Sequence, residues 1–291
     1  MSRKFKITGT VSEYLKRFAR GESLPRTEEP SPAPEEGADK PAAQEAAPAP
    51  AEEEKGLLAY ALTDVGRVRS SNQDAIIQGE KLFGVADGMG GHKGGETASA
   101  GARDGLLALL EGQKPALDSL REAVKEVNGR LFRQQQGDEK LSGMGTTLTA
   151  LWFSDHYVYI GHVGDSRAYL LREGKLRQIT SDHSLVAELV RSGVLTPEQA
   201  AGHPMRNVIT RAVGTEDTVE VDLLVEERKA GDVWLVCSDG LYGMVQDSAM
   251  EAILTANTPK AAVRLLVDAA LAAGGHDNVT VVLLQDKEGS R

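Results

Sequence analysis

Five aspartates lie beside apolar stretches of the sequence, where a charged side chain is costly. Asp87, Asp165 and Asp239 each follow such a run, Asp277 precedes one, and Asp74 ends a short polar segment. A single aspartate in such a place is typical of a turn. A buried carboxylate needs a compensating charge, and converging carboxylates repel one another unless a cation separates them. The repeated pattern therefore predicts a cation site built from several strand ends.

The ligand types indicate what chemistry such a site could do. Carboxylates with no Cys or His nearby favour a hard divalent cation, Mg²⁺ or Mn²⁺, and Gly88 lets its backbone carbonyl approach a ligand closely. Two such ions about 3.5–4 Å apart activate a water and direct it at phosphorus. Arg69, close to Asp74 in the sequence, supplies a guanidinium that binds phosphate oxygens in a bidentate way. Together these residues predict hydrolysis of a phosphate ester.

The elements that must position these residues are mostly strands. Runs rich in β-branched and aromatic residues predict strands at 57–64, 82–86, 146–153, 157–164, 168–172, 218–224, 233–238 and 279–284. Apolar spacing and capping residues predict helices over 116–135, from Thr196-Pro197, and from Thr258-Pro259 to Gly274. Strands occur in runs without steady alternation with helices, which favours an α+β fold with antiparallel sheets.

The first 55 residues differ in composition from the rest. Residues 1–20 hold six basic residues against one acidic residue, and Val11, Tyr14, Leu15 and Phe18 would share one face of a short helix. This predicts a basic amphipathic tail over 1–22. It is either a docking peptide for a partner protein or an anionic membrane surface, or a frayed tail with no partner, since short isolated helices are marginal in water.

Seven of the 11 prolines lie in residues 21–55, where large apolar side chains are almost absent. Such a composition predicts a disordered Pro/Ala/Glu linker over 23–55. The remaining chain, over 56–287, is predicted to form one catalytic domain with a sizeable core.

Composition also excludes several classes of protein. A net charge of −10, from 33 basic and 43 acidic residues, argues against nucleic-acid binding. No run approaches the ~20 apolar residues needed for a membrane span, and the N-terminus has no secretory h-region. The single cysteine, Cys237, excludes an intramolecular disulfide framework and is predicted to be a buried, inert thiol. We therefore expect a cytoplasmic protein with no membrane span.

Seven ordered motifs carry a resemblance to a known family. The chain resembles the bacterial metal-dependent serine/threonine protein phosphatases of type 2C, the PPM family, from about residue 57 to residue 284. The matching motifs are V-R-S-S-N-Q-D at 68–74, A-D-G-M-G-G-H at 86–92, G-M-G-T-T-L at 143–148, G-D-S-R-A-Y at 164–169, T-S-D-H-S at 180–184, C-S-D-G-L at 237–241 and H-D-N-V-T at 276–280.

The resemblance implies a four-layer α-β-β-α sandwich with two central antiparallel sheets and a binuclear centre of Mn²⁺ or Mg²⁺ at one end. Asp87 would bridge both ions and Gly88 would bind the second through its carbonyl. Asp239 and Asp277 would bind the first ion, and Asp74 would hold metal-bound water.

The same resemblance implies roles for two further residues and one segment. Arg69 would hold the substrate phosphate, and Asp165 would join Asp239 in a third, weaker metal site. Residues 182–215 match a mobile flap beside the active site.

The chain departs from the family pattern at two positions. Many relatives carry Glu where this chain has Gln73, and eukaryotic relatives have His where it has Met89. His92 is the nearest histidine to that second position, but the match assigns it no role.

The expected function is hydrolysis of phosphoserine and phosphothreonine in proteins by a metal-bridging hydroxide, with Arg69 and Asp87 as the catalytic residues and no phosphoenzyme. The expected partners are phosphorylated proteins and a cognate Ser/Thr kinase, and the expected state is a monomer. Two alternatives remain open. One is a phosphoprotein-binding regulator with weak or no catalysis. The other is a phosphatase for small phosphate esters.

Overall fold

The computed structural model describes residues 5–6, 56–90 and 94–287. The strands are β1 (Phe5–Lys6), β2 (Leu57–Asp64), β3 (Asp74–Gln78), β4 (Leu82–Met89), β5 (Gly145–Thr146), β6 (Leu148–Phe153), β7 (Tyr157–Val163), β8 (Arg167–Arg172), β9 (Lys175–Gln178), β10 (Val208–Ile209), β11 (Asp222–Glu227), β12 (Val233–Cys237) and β13 (Val279–Asp286). The helices are α1 (Gly94–Leu110), α2 (Leu117–Gly137), α3 (Leu185–Arg191), α4 (Pro197–Ala201), α5 (Asp239–Tyr242), α6 (Asp247–Ala256) and α7 (Pro259–Ala272), with a 3₁₀ turn at Glu139–Leu141.

The strands form two large antiparallel sheets. One has the order β11-β7-β6-β4-β3, with β5 pairing with β4, and the other has the order β2-β13-β12-β8-β9. Period-two side-chain alternation gives each sheet two apolar faces. Phe83 and Val85 of β4 face Trp234 and Val236 of β12 in the core between the sheets.

Helices cover the outer face of each sheet. Leu106 of α1 and Leu120 of α2 pack on the six-stranded sheet, and Leu254 of α6 and Leu266 of α7 pack on the five-stranded sheet. The predicted α+β, four-layer α-β-β-α sandwich is therefore confirmed. In the part of the chain that the structure describes, no helix combines the length and hydropathy that a bilayer crossing requires.

Helix α1 was not predicted because it is rich in glycine, which lowers helix propensity. Its glycines allow close packing on α2. A Cβ on Gly101 would lie 2.8 Å from the side chain of Leu131, and one on Gly105 would lie 2.9 Å from that of Val127. Tertiary packing therefore outweighs local propensity in this helix.

Several predicted bounds need correction. The strand predicted at 218–224 is Asp222–Glu227, because Val219 instead packs into the helix-covered cluster ahead of the strand. The strand predicted at 146–153 is interrupted at Thr147, whose backbone N–H donates to the Asp87 carbonyl. The strand predicted to end at residue 86 continues to Met89.

The predicted tail helix and linker lie outside the described residues. The only described residues in that region are Phe5–Lys6, which pair in parallel with Val208–Ile209. The predicted boundaries at residues 22 and 55 therefore stay predictions.

Candidate active site

The site lies where the core between the two sheets turns polar. Along β4 the inter-sheet row runs Phe83, Val85 and then Asp87, because alternate residues share a face. Along β12 the corresponding row runs through Trp234 and Val236 and continues to Ser238. An apolar layer therefore ends in polar side chains from both sheets at one end of the sandwich.

Asp74 and Asp87 lie directly opposite each other across strands β3 and β4. The Gly88 N–H donates to the Gln73 carbonyl at 3.0 Å, which makes Asp74 and Asp87 a non-hydrogen-bonded pair, the kind whose side chains are closer together. Directly opposed like charges destabilise a sheet. Two carboxylates held on one face in this way favour a cation beside them.

Ser238 connects Asp74 to the opposite sheet. Its hydroxyl donates to Oδ2 of Asp74 at 2.7 Å and accepts from the Thr280 N–H at 3.0 Å. Asp239 follows directly and opens helix α5. The bond brings the end of β12 against the start of β3, so that Asp239 and Asp74 approach the same region from different sheets.

Asp277 lies beside Asp239 because the backbones carrying them pack closely. A Cβ on Gly240 would collide with the carbonyl of Asn278, so only glycine allows this approach. Oδ1 of Asp277 accepts from the Asn278 N–H at 2.8 Å. The carboxylate is thereby oriented by its own backbone.

Arg69 lies among these acids. Its Nη2 donates to Oδ2 of Asp277 at 2.7 Å. Burial opposes the charged guanidinium, but Asp277 above all, with Asp239 and Asp87, raises the pKa of Arg69 above its ordinary value. Its charge is therefore permanent and directed into the acidic cluster.

Asn278 holds the loop that carries Arg69. Its side-chain oxygen accepts from the Gln73 N–H at 2.8 Å, and its amide donates to the carbonyls of Val65 and Ser71 at 2.9 Å each. Asn278 thus orients Asp277 through its backbone N–H. The structure shows that it also joins strand β13 to the loop between β2 and β3.

Gly88 and Thr147 fix the end of β4. A Cβ on Gly88 would collide with the carbonyl of Gly95, so the end of β4 packs directly against the start of α1. The Asp87 N–H donates to Oγ1 of Thr147 at 3.0 Å, and the Thr147 N–H donates to the Asp87 carbonyl at 2.9 Å. The backbone around Asp87 is therefore rigidly held.

Asp165 lies on the flap side of the cluster. It is buried, and its carbonyl accepts from the Tyr242 hydroxyl at 2.8 Å. The preceding residue, Gly164, donates its N–H to Nδ1 of His183 at 2.9 Å. Asp165, Asp239 and Asp277 line one end of a cavity of about 810 Å³ that extends to the flap helices.

The residues present fit divalent cations. The pair Asp74 and Asp87, with Asp239 close by, offers the carboxylate oxygens that Mg²⁺ and Mn²⁺ prefer. Within residues 56–90 and 94–287, no three His, Cys, Asp or Glu side chains lie close enough to hold an ion by themselves. A cation here therefore needs backbone carbonyl and water ligands as well, which agrees with the glycine at position 88.

Other reactive side chains lie away from this chemistry. Cys237 is fully buried, and burial raises the pKa of its thiol well above the ordinary value, as expected for an inert thiol. His162 is also fully buried, and burial, followed by the charge of His183, lowers its pKa to about 3. It is a neutral core histidine.

Sequence reasoning gave no role to Ser238 or Thr147, although both stand inside quoted motifs. The alternation of side chains along the strands could have identified both residues. Each one extends a row of side chains that lies between the two sheets to the polar end of that row.

Acidic side chains from both sheets and one arginine therefore meet at the polar end of a four-layer sandwich. The family model for "Protein phosphatase 2C" matches residues 66–281. The chain belongs to this family.

Named relatives agree with this assignment. The chain is 44% identical over 232 residues to the serine/threonine protein phosphatase PstP of Mycobacterium tuberculosis, covering 78% of this chain and 45% of PstP. It therefore spans less than half the length of that relative. It is 40% identical over 237 residues to the serine/threonine phosphatase stp of Listeria monocytogenes, covering 77% of this chain and 93% of stp.

A solved structure shows the same architecture. The PstP catalytic domain in complex with two manganese ions matches with a TM-score of 0.74 and 40% identity, over 80% of this chain and 99% of that one.

Proposed function

We propose that this protein is a divalent-metal-dependent phosphatase acting on phosphoserine and phosphothreonine in proteins. The observation that carries the proposal is that one guanidinium, that of Arg69, lies among the carboxylates of Asp277, Asp239 and Asp87. Cations held by the carboxylates and a guanidinium beside them form a positive clamp for a phosphoryl group. The relatives' names and the manganese complex support the same activity.

The residues proposed to hold two cations, Mn²⁺ or Mg²⁺, come from both sheets. Asp87 would hold both ions, the Gly88 carbonyl would help to hold one of them, and Asp239 with Asp277 would hold the other. Asp74 would hold coordinated water, supported by its position opposite Asp87. A third, weaker site would use Asp165 with Asp239, which line the same cavity.

The remaining chemistry follows from the chain's own groups. When bound, the cations supply Lewis acidity and activate the attacking water. Arg69 orients the phosphate oxygens and stabilises the charge that develops on them. Asn278 keeps the Arg69 loop in place through its contacts with Val65 and Ser71.

We do not propose the residue at position 89 as the acid that protonates the leaving oxygen. Met89 is buried and packs against Ile209 and Ala212, and His92 lies outside the described residues. We propose that the proton comes from water, either free or held at the third cation site of Asp165.

The proposed cellular setting follows from the proposed reaction. Phosphoprotein substrates arise from a kinase that uses ATP, so we place the enzyme in the cytoplasm opposite a Ser/Thr kinase. We propose that the catalytic unit is a monomer over residues 56–287, with residues 1–22 and 23–55 as tail and linker.

A phosphothreonine peptide assay tests the activity. Phosphate release by the full chain should require Mn²⁺ or Mg²⁺ and stop when EDTA is added. A protein that binds the phosphopeptide but releases no phosphate would instead be the phosphoprotein-binding regulator. Hydrolysis of p-nitrophenyl phosphate with no hydrolysis of the peptide would indicate a phosphatase for small esters.

A further inference from the structure

The cavity beside the acids continues well beyond them. About 810 Å³ in volume, it runs from Asp239 and Asp277 to helices α3 and α4 of the flap, and we call it the flap groove. A volume of this size holds a ligand much larger than one phosphorylated side chain. The groove therefore has room for the chain that flanks the phosphorylated residue.

Helix α3 presents two different faces. Leu185 and Leu189 are buried against Val208 in a small core of the flap. Val186 and Val190 lie on the other face, are only partly buried, and line the flap groove. This second face gives the groove an apolar wall.

Two arginines line the groove at the flap side, Arg191 and Arg206, and both are exposed. Toward the described part of the chain, the Arg191 guanidinium donates one hydrogen bond, a long one of 3.5 Å to the Ser181 hydroxyl. Among residues 56–90 and 94–287, neither guanidinium has a carboxylate within ion-pair distance.

Two other arginines in this region, by contrast, are paired with carboxylates. Arg167 donates three hydrogen bonds to Asp182, and Arg211 pairs with Asp222. Arg191 and Arg206 are thus available to a ligand, on a chain whose net charge is −10.

We infer that the flap groove binds the substrate polypeptide beside the phosphorylated residue and selects segments carrying a further negative charge there. This inference rests on the proposed phosphatase function and specifies its substrate class. Val186 and Val190 contact the backbone and apolar side chains of the segment, while Arg191 and Arg206 attract its anionic group. That group is a carboxylate or a second phosphoryl group, since a guanidinium binds both.

The experiment uses the full chain with Mn²⁺ and peptides that carry one phosphothreonine. Glu, Lys or a non-hydrolysable phosphonate analogue of phosphothreonine is placed in turn at each of several positions on either side. On one side of the phosphothreonine, KM should be about 1.5-fold to fivefold lower for the anionic residues than for Lys, as for a solvent-exposed ion pair. The larger of the Glu and phosphonate effects identifies the preferred anion.

Arg191→Ala and Arg206→Ala should each reduce this discrimination in KM, and Arg→Lys at either position should retain most of it. Arg133→Ala is the matched control, because Arg133 is an exposed arginine of α2 that does not line the groove. Raising the salt to about 0.5 M should also reduce the discrimination, since exposed charges are screened.

Three outcomes can be distinguished. Discrimination that both alanine variants reduce supports the inference. Equal KM values for anionic and Lys peptides, or discrimination that survives in both variants, overturns it while the phosphatase function stands. If the unmodified protein hydrolyses neither the peptides nor p-nitrophenyl phosphate, the proposed function fails, and this inference with it.

Discussion

Asp74 and Asp87 face each other in direct register across two neighbouring strands, on the side of the sheet that faces the opposite sheet. Two carboxylates in this position repel one another without a cation. The same pair therefore disfavours the metal-free fold and favours the metal-bound one. We therefore expect stability and metal binding to be coupled at this position.

Replacing one acid of the pair should separate its effect on the stability of the metal-free protein from its effect on metal binding. Asp74→Asn should raise the free energy of unfolding in EDTA by about 0.5–1 kcal/mol, because it removes like-charge repulsion. With Mn²⁺ the same variant should gain less stability than the unmodified protein. Urea denaturation with and without metal checks this. A variant less stable than the unmodified protein in EDTA would contradict the account of the pair.

Arg69 should be required for its geometry as well as its charge. Arg69→Ala should lower kcat/KM on a phosphothreonine peptide by about 10²–10³-fold, as for loss of one transition-state donor. Arg69→Lys should recover only part of this, because an ammonium cannot bind two phosphate oxygens in parallel. Mn²⁺ binding by calorimetry should not weaken in either variant. Full activity in the lysine variant would show that charge alone is enough.

Asn278 should act by positioning. Asn278→Asp keeps the shape but removes the donors to Val65 and Ser71, and leaving such carbonyls unsatisfied costs about 1–3 kcal/mol of stability. We expect kcat to fall because the Arg69 loop loosens. A matched substitution at Asn257, whose amide donates to the Ile253 carbonyl at the end of its own helix, should leave kcat unchanged. Equal kcat for Asn278→Asp and the unmodified protein would refute the positioning role.

His162 should make the fold acid-sensitive. Burial lowers its pKa to about 3, against about 6.5 in an unfolded chain. The unfolded chain therefore binds a proton between these values that the folded protein does not. The free energy of unfolding should fall as pH falls below about 6.5, by up to about 1.4 kcal/mol per pH unit from this residue.

The control for this effect is His162→Gln, measured by urea denaturation between pH 7 and pH 4. Its stability at pH 7 should be lower, but its decline with falling pH should be shallower. Parallel declines in both proteins would mean that other groups cause the acid sensitivity.

Some of the site was predictable from the sequence and some was not. Asp87 and Asp239 follow apolar runs, and those runs predicted that both acids lie close to where a strand ends. The register of Asp74 with Asp87 depends on how β3 pairs with β4, and no local pattern specifies that. The contacts of Asn278 with Val65 and Ser71 join segments distant in sequence, and only the folded chain brings them together.

The central claim is that carboxylates from both sheets hold the cations on which phosphatase activity depends. The most direct test compares initial rates of phosphothreonine-peptide hydrolysis by the unmodified protein and Asp239→Asn across a Mn²⁺ titration, with circular dichroism to confirm folding. The unmodified protein should show saturable, Mn²⁺-dependent hydrolysis, and the folded variant should remain inactive at every Mn²⁺ concentration. A folded Asp239→Asn protein that reaches near the unmodified rate in excess Mn²⁺ would contradict the two-metal assignment.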